Sequence, residues 1–319
     1  MLFIDGSAME GGGQILRLCL SLSSITKKPF RLENIRANRP NPGLAPQHLA
    51  AVSAARKVSR AEVKGAEPGS STLEFIPKKI VGGKYKINIG TAGSAVLVAQ
   101  TLIPILIYAE KPSEVEIIGG THVKWAPTYE YFSEVFLPSL SFFGISCSSS
   151  LLKPGYYPEG GGIMRFLVKP AQPKGNSFWP KSKTKAIIRV DNLDFSIALR
   201  EKKVLVEKGI EGIRIIQTKE SIGNSLLIWS GSTGVCSVGE KGKRAEELAE
   251  EAFESFSKEN QYEVDTYLAD QLLPYASLSK GATSYSVSEH SSHLLTSARI
   301  IKEFVSRDIR IGGKKVEIC

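Results

Sequence analysis

The sequence predicts an α+β protein of three repeated βαβαββ-type units, with a small α/β domain inserted between the second and third. Three observations predict this. The order helix, strand, helix, strand recurs three times along the chain. The recurrence is uneven: Lys28, Lys111 and Lys280 close the first helix of each unit and lie 83 and then 169 residues apart, leaving 86 residues in excess. A linker-like run, Pro170-Ala171-Gln172-Pro173-Lys174-Gly175-Asn176, marks where that excess begins.

Taken in order, Leu2-Phe3-Ile4-Asp5 opens the chain as a strand, and Gly13–Lys28 reads as a buried helix followed by a strand over Pro29–Ile35. A second helix over His48–Val58 leads to a strand near Glu62–Val63. The next unit repeats this with a helix at Gly93–Lys111, a strand at Glu114–Ile118, a helix at Tyr129–Phe143 and a strand at Ile145–Ser148. The last has Asp270–Lys280, Thr283–Val287, His293–Phe304 and Asp308–Ile311. The core is therefore expected to span 1–179 and 263–319, and the insert 180–262. Within the insert, Ala186–Val190, Ile213–Gln217, Leu226–Trp229 and Val235–Val238 read as strands, and Ser196–Glu207 and Lys243–Ser257 as helices. The last helix carries an apolar stripe at Ala245, Leu248, Ala249, Ala252, Phe253 and Phe256. This order is compatible with a thioredoxin-like sandwich, although no redox CxxC is present.

Bulk properties narrow the function. The 319-residue chain has an ordinary globular composition. Its longest apolar stretch, Ala95–Ala109, is interrupted by Gln100, Thr101 and Pro104 and falls short of the roughly 20 residues a membrane span needs. Met1 leads straight into a strand with no signal-peptide pattern, so a cytoplasmic location and no membrane partner are expected. A net charge of +9 points to an acidic partner, nucleic acid above all. Cys19, Cys147, Cys236 and Cys319 are scattered, which indicates neither a zinc site nor a disulfide framework.

Chemistry concentrates in a few segments. Glu10-Gly11-Gly12-Gly13-Gln14-Ile15-Leu16-Arg17 sets bare backbone at a helix start, where N–H groups attract anions. A carboxylate there fits if a divalent metal bridges it to phosphates; a plain tight turn is the simpler alternative. The proline-rich loop from Arg36 to His48 brings Arg36, Arg39, Gln47 and His48 to one rim, a donor set suited to phosphate, though basic loops are often mere solvated surface. His293 follows two serines able to cap its helix, a position that favours a neutral, nucleophilic imidazole, though a helix-terminal histidine bonded to a serine is the simpler alternative. Gly234–Gly239 has P-loop glycine spacing, but Glu240 stands where lysine is needed. Tyr267-Leu268-Ala269-Asp270-Gln271 reads either as a base-stacking and ribose-binding segment or as the exposed start of a core helix.

Together these stretches resemble the RNA 3'-terminal phosphate cyclases, through Glu10–Arg17, Ile35–His48, Gly90-Thr91-Ala92-Gly93-Ser94, Gly155–Gly162, Tyr267–Gln271 and Ser291–Leu295. One departure is Pro154, where the family's glycine-rich signature usually opens with arginine or histidine; that position is given no ligand role. The resemblance implies a core similar to three copies of the C-terminal domain of translation initiation factor 3, with an inserted domain. It implies ATP-dependent conversion of an RNA 3'-phosphate to a 2',3'-cyclic phosphate through histidine–AMP and RNA-adenylate intermediates. His293 matches the nucleophile, and Glu10 the ligand of a divalent metal (Mg or Mn). Gln100, Pro127 and Tyr267, Leu268, Ala269, Asp270 and Gln271 match the nucleotide pocket. Arg17, Arg36, Arg39, Gln47 and His48 match holders of the RNA end or the ATP phosphates. Two alternatives stand beside this reading: a noncatalytic, RNA-binding branch of the same family acting in ribosomal RNA processing, and an enolpyruvyl transferase of related architecture.

Overall fold

The computed structural model describes residues 1–319 as a mixed α+β protein. β1 (Leu2–Asp5), α1 (Gly13–Thr26), β2 (Phe30–Glu33), α2 (Pro46–Ser59), β3 (Glu62–Lys64) and β4 (Leu73–Ile76) build a first sheet in the order β1-β2-β4-β3. The β1–β2 pair is parallel, and the other pairs are antiparallel. β5 (Lys84–Asn88), α3 (Ala95–Leu106) and β6 (Ser113–Gly119) follow, then a broken helix, β7 (Cys147–Lys153) and β8 (Gly162–Val168). Their sheet runs β5-β6-β8-β7, with the same order and strand directions as the first.

The helix expected over Tyr129–Phe143 is interrupted. α4 (Tyr129–Tyr131) passes through a π turn at Phe132–Phe136 into α5 (Leu137–Ser141). Pro138 explains the break: it offers no N–H to the carbonyl one turn back, so the ladder slips and Leu137 N–H reaches back five residues to Phe132.

β9 (Lys185–Asp191), α6 (Ser196–Glu207), β10 (Gly212–Thr218), β11 (Gly223–Ser230), β12 (Thr233–Val238) and α7 (Ala245–Glu259) then form a sheet of their own, ordered β10-β9-β11-β12. The P-loop-like Gly234–Val238 stretch is thus strand β12, and Glu240 pairs with Lys124. The chain closes with α8 (Thr266–Leu278), β13 (Thr283–Ser286), α9 (Ser292–Phe304), β14 (Ile309–Gly312) and β15 (Lys315–Ile318), in the sheet order β13-β15-β14. Where β1 and β5 lead the earlier sheets, this one has only a parallel bridge of Lys174 to Lys280, with Gly175 N donating to Lys280 O at 2.7 Å.

Strand burial alternates, as in β6, whose Ser113, Val115, Ile117 and Gly119 face inward. Charged side chains such as Lys86, Glu116 and Arg165 pair on the other face, where each pair adds little stability. α1 packs among α2, α3 and α9. Its Leu16, Leu18, Cys19, Leu20 and Leu22 are all buried, which is why it shows no polar stripe. A second apolar cluster lies wholly within the 186–256 segment, but Ile187, Leu227 and Trp229 from that segment join the main core.

Buried polar groups complete the docking. Burial pushes the Glu130 carboxyl up, yet His122 and Arg189, at 2.6 and 2.7 Å, outweigh it and hold it at about 2. Tyr156 donates to Asp191 at 2.7 Å, and its ring lies so close over Gly223 that a Cβ there would come within 2.2 Å of it. His122 is fully buried and stacked on Tyr156, so it serves this joint. No helix is long and apolar enough to cross a membrane.

Candidate active site

A cavity of about 1480 Å³ opens where α1, α3, α8 and α9 meet the Arg36–His48 loop and strand β12. Its volume exceeds the roughly 300–1,000 Å³ that encloses one small ligand.

His293 is the second residue of α9. Ser291 caps that helix, its Oγ accepting from Leu294 N at 3.1 Å, and so fixes where the imidazole starts. Nδ1 lies 2.6 Å from Gln14 Oε1. The Gln14 amide cannot turn over, because its Nε2 lies 2.8 Å from Asp270 Oδ2 and 3.0 Å from the His293 carbonyl, acceptors for its two N–H groups, with Ser297 Oγ also at 2.8 Å. An amide oxygen only accepts, so the His293 proton sits on Nδ1 and the lone pair on Nε2. Burial, then Arg17 and Arg39, push the His293 pKa below its ordinary value. Its neutrality thus has causes beyond the helix start that the sequence pointed to.

Glu10 faces that nitrogen, with Oε1 3.7 Å from His293 Nε2. Arg39 hydrogen-bonds the same oxygen, while Oε2 is buried without a partner. An anionic oxygen left in that state fits a cation. No group of three or more His, Cys, Asp or Glu surrounds it, so a divalent ion there would complete its shell with phosphate oxygens and water.

The remaining donors converge from three elements. Burial lowers the Arg17 guanidinium to about 10, with Asp270 opposing, and raises the Asp270 carboxyl to about 7, with Arg17 opposing. His48 is buried and held neutral, at about 3, by burial and by Arg17 and Arg36. Its Nδ1 accepts from Ala45 N at 3.3 Å, which leaves Nε2–H as a donor. Gly13 has to be glycine here, since a Cβ would stand 2.2 Å from that Nε2. Arg36 is braced by the Gly43 carbonyl at 2.8 Å, and Gln47 Oε1 accepts from Ser94 N at 3.2 Å. Gln100 donates to Gln271 at 2.5 Å in a part-buried pair, while Pro127 and Tyr267 line the cavity as well.

Two residues read as pocket lining lie elsewhere. Leu268 and Ala269 are fully buried in the apolar core, on the inward face of α8. Helical geometry separates them from Tyr267, Asp270 and Gln271 within one continuous motif. Gln14 is the residue that sequence reasoning left without a role. Its signal was position, three residues before Arg17 and so on the same face of α1.

Residues 8–311 match the sequence profile of RNA 3'-terminal phosphate cyclase. The chain belongs to the RNA 3'-terminal phosphate cyclase family. All the site residues above, from Glu10 to His293, fall inside the match. The chain is 41% identical to the RNA 3'-terminal phosphate cyclase of Archaeoglobus fulgidus, over 100% of both chains. It is 41% identical to that of Sulfurisphaera tokodaii, over 99% of this chain and 97% of the relative, and 38% identical to that of Pyrococcus furiosus, over 98% and 96%. The enolpyruvyl transferase NikO from Streptomyces tendae is similar at a TM-score of 0.42 and 10% identity, over 100% of this chain and 48% of that one.

Proposed function

We propose that this family member converts an RNA 3'-phosphate end to a 2',3'-cyclic phosphate at the expense of ATP, with His293 as nucleophile. The carrying observation is the Gln14 lock, which leaves the Nε2 lone pair of a neutral imidazole facing a cavity edged by arginines. Nε2 attacks the α-phosphorus of ATP, the bond to the bridging oxygen breaks, and pyrophosphate leaves. A phosphate oxygen of the RNA end then takes the AMP from histidine, which returns to its neutral form. The adjacent 2'-hydroxyl attacks the activated 3'-phosphorus, expelling AMP and releasing its proton. Activation is needed because a phosphate monoester dianion is a poor electrophile.

Arg17, Arg36, Arg39, Gln47 and His48 would hold the phosphates of ATP and of the RNA end. Gln100, Pro127, Tyr267, Asp270 and Gln271 would hold the nucleoside. Glu10, with its unpartnered oxygen, would hold a divalent cation, Mg or Mn, which neutralises phosphate charge when bound. A cytoplasmic location suits a reaction on RNA and ATP.

The architecture is read the same way, as three copies of one unit resembling the C-terminal domain of initiation factor 3, with residues 180–262 a thioredoxin-like insert. The shared order of the first two sheets and the separate apolar cluster of the 186–256 segment support it.

Incubation with α-labelled ATP and a divalent metal tests the chemistry. Label should enter the protein in a form stable to alkali and lost in acid, as expected of a phosphoramidate. His293→Ala should abolish it and His290→Ala should retain it. Label retained by the His293→Ala variant would remove His293 as the nucleophile. A wild-type protein that takes no label at all would favour the noncatalytic branch.

A further inference from the structure

Trp125 lines the cavity and has no part in the proposed reaction. It is 97% exposed, whereas Trp179 and Trp229 are 5% and 9% exposed. Its ring stands among the residues lining the cavity, two positions before Pro127. The backbone holds it there in the left-handed region, at φ 63°. The loop is fixed on both sides of it. Val123 is buried, Lys124 is paired to Glu240 at 2.6 Å, and Tyr129 N–H bonds to the Thr121 carbonyl at 2.9 Å while Thr128 caps α4. An indole kept in water on a braced loop offers a large flat apolar face without having to reorganise.

From this, and resting on the proposed reaction, we propose that Trp125 is a stacking platform for a nucleobase of the RNA strand, one that guides the 3' end toward His293. A base suits the ring because every base presents a π-face, and stacking tolerates any sequence. RNA is favoured over ATP as its source by placement. The part-buried Gln100–Gln271 pair and Asp270, elsewhere in the cavity wall, suit a held adenosine. A ring that is almost wholly in solvent suits a strand arriving from outside. The cavity volume of about 1480 Å³ leaves room for both.

Trp125 is the sole exposed tryptophan, so its fluorescence reports the contact directly. Titration with a short 3'-phosphorylated oligoribonucleotide should quench the solvent-exposed emission of the wild type, and ATP alone should not. In single-turnover transfer from preformed enzyme–AMP, Trp125→Ala should raise the half-saturating RNA concentration about five- to hundredfold, the range one stacked base carries. Its rate of self-adenylylation should be unchanged, and Trp125→Phe should recover most of the RNA affinity. Equal RNA saturation by wild type and Trp125→Ala overturns this inference alone, and so does a defect confined to the ATP step, which would make the ring an adenine platform. A wild type that takes label from ATP but never engages the RNA overturns both this inference and the proposed function.

Discussion

His293 has to be a free base to attack phosphorus, and most of its surroundings push it that way. Burial disfavours the imidazolium, and Arg17 and Arg39 repel it. Glu10 at 3.7 Å pulls in the opposite direction, but its near oxygen is already engaged by Arg39. Self-adenylylation should therefore rise with pH through a midpoint below 6.5, the ordinary histidine value, and stay flat above it. Arg39→Gln removes a repelling cation and frees Glu10, and both changes favour the protonated ring. The midpoint should move up, read from single-turnover labelling across pH. An unchanged midpoint would mean that Arg39 does not set the charge of His293. At this scale the sequence showed His293, Glu10 and the arginines because their residue types name their chemistry. Gln14 offered only its spacing from Arg17: its role arises because α1 and α9 are neighbours, joining positions 279 apart in the chain.

Helix α8 owes its place in the cavity wall to Asp265, which is fully buried at its start. The carboxylate accepts from Tyr267 N at 3.0 Å and Leu268 N at 2.8 Å, caps the helix, and also takes Tyr131 OH and Gly234 N at 2.9 Å each. Burial raises its pKa to about 7 against those donors. Asp265→Ala should cost roughly 3–5 kcal/mol, about 1 for the cap and the rest for donors left buried without a partner. Denaturant unfolding measures it, and a loss under about 1 kcal/mol would show that the clasp is replaced by water or a neighbour. Elements of this size were mostly legible. The helix Ser196–Glu207 has the bounds read from the sequence. The π turn was not, since Pro138 changes the ladder within a pattern that still looks helical. Nor were β4, β5, β8 and β15 assigned from sequence, and the first and last of these offer only four alternating residues each.

Across the whole molecule, the excess spacing between Lys111 and Lys280 pointed to an insertion, while the way that segment meets the rest did not show in one dimension. One face of its sheet sends Ile187, Leu227 and Trp229 into the main core, Arg189 neutralises Glu130, and Gly234–Ser237 form part of the cavity wall. The site is thus assembled from segments spread along nearly the entire chain, and its parts have meaning only if one reaction uses them all. The most direct test is the fate of an RNA 3'-phosphate incubated with the protein, ATP and magnesium or manganese. The end should become resistant to phosphatase, with one AMP and one pyrophosphate released per end converted, and neither change should occur without ATP or with the His293→Ala variant. An end that stays phosphatase-sensitive while the protein is fully labelled with AMP would contradict cyclisation as the outcome of the site.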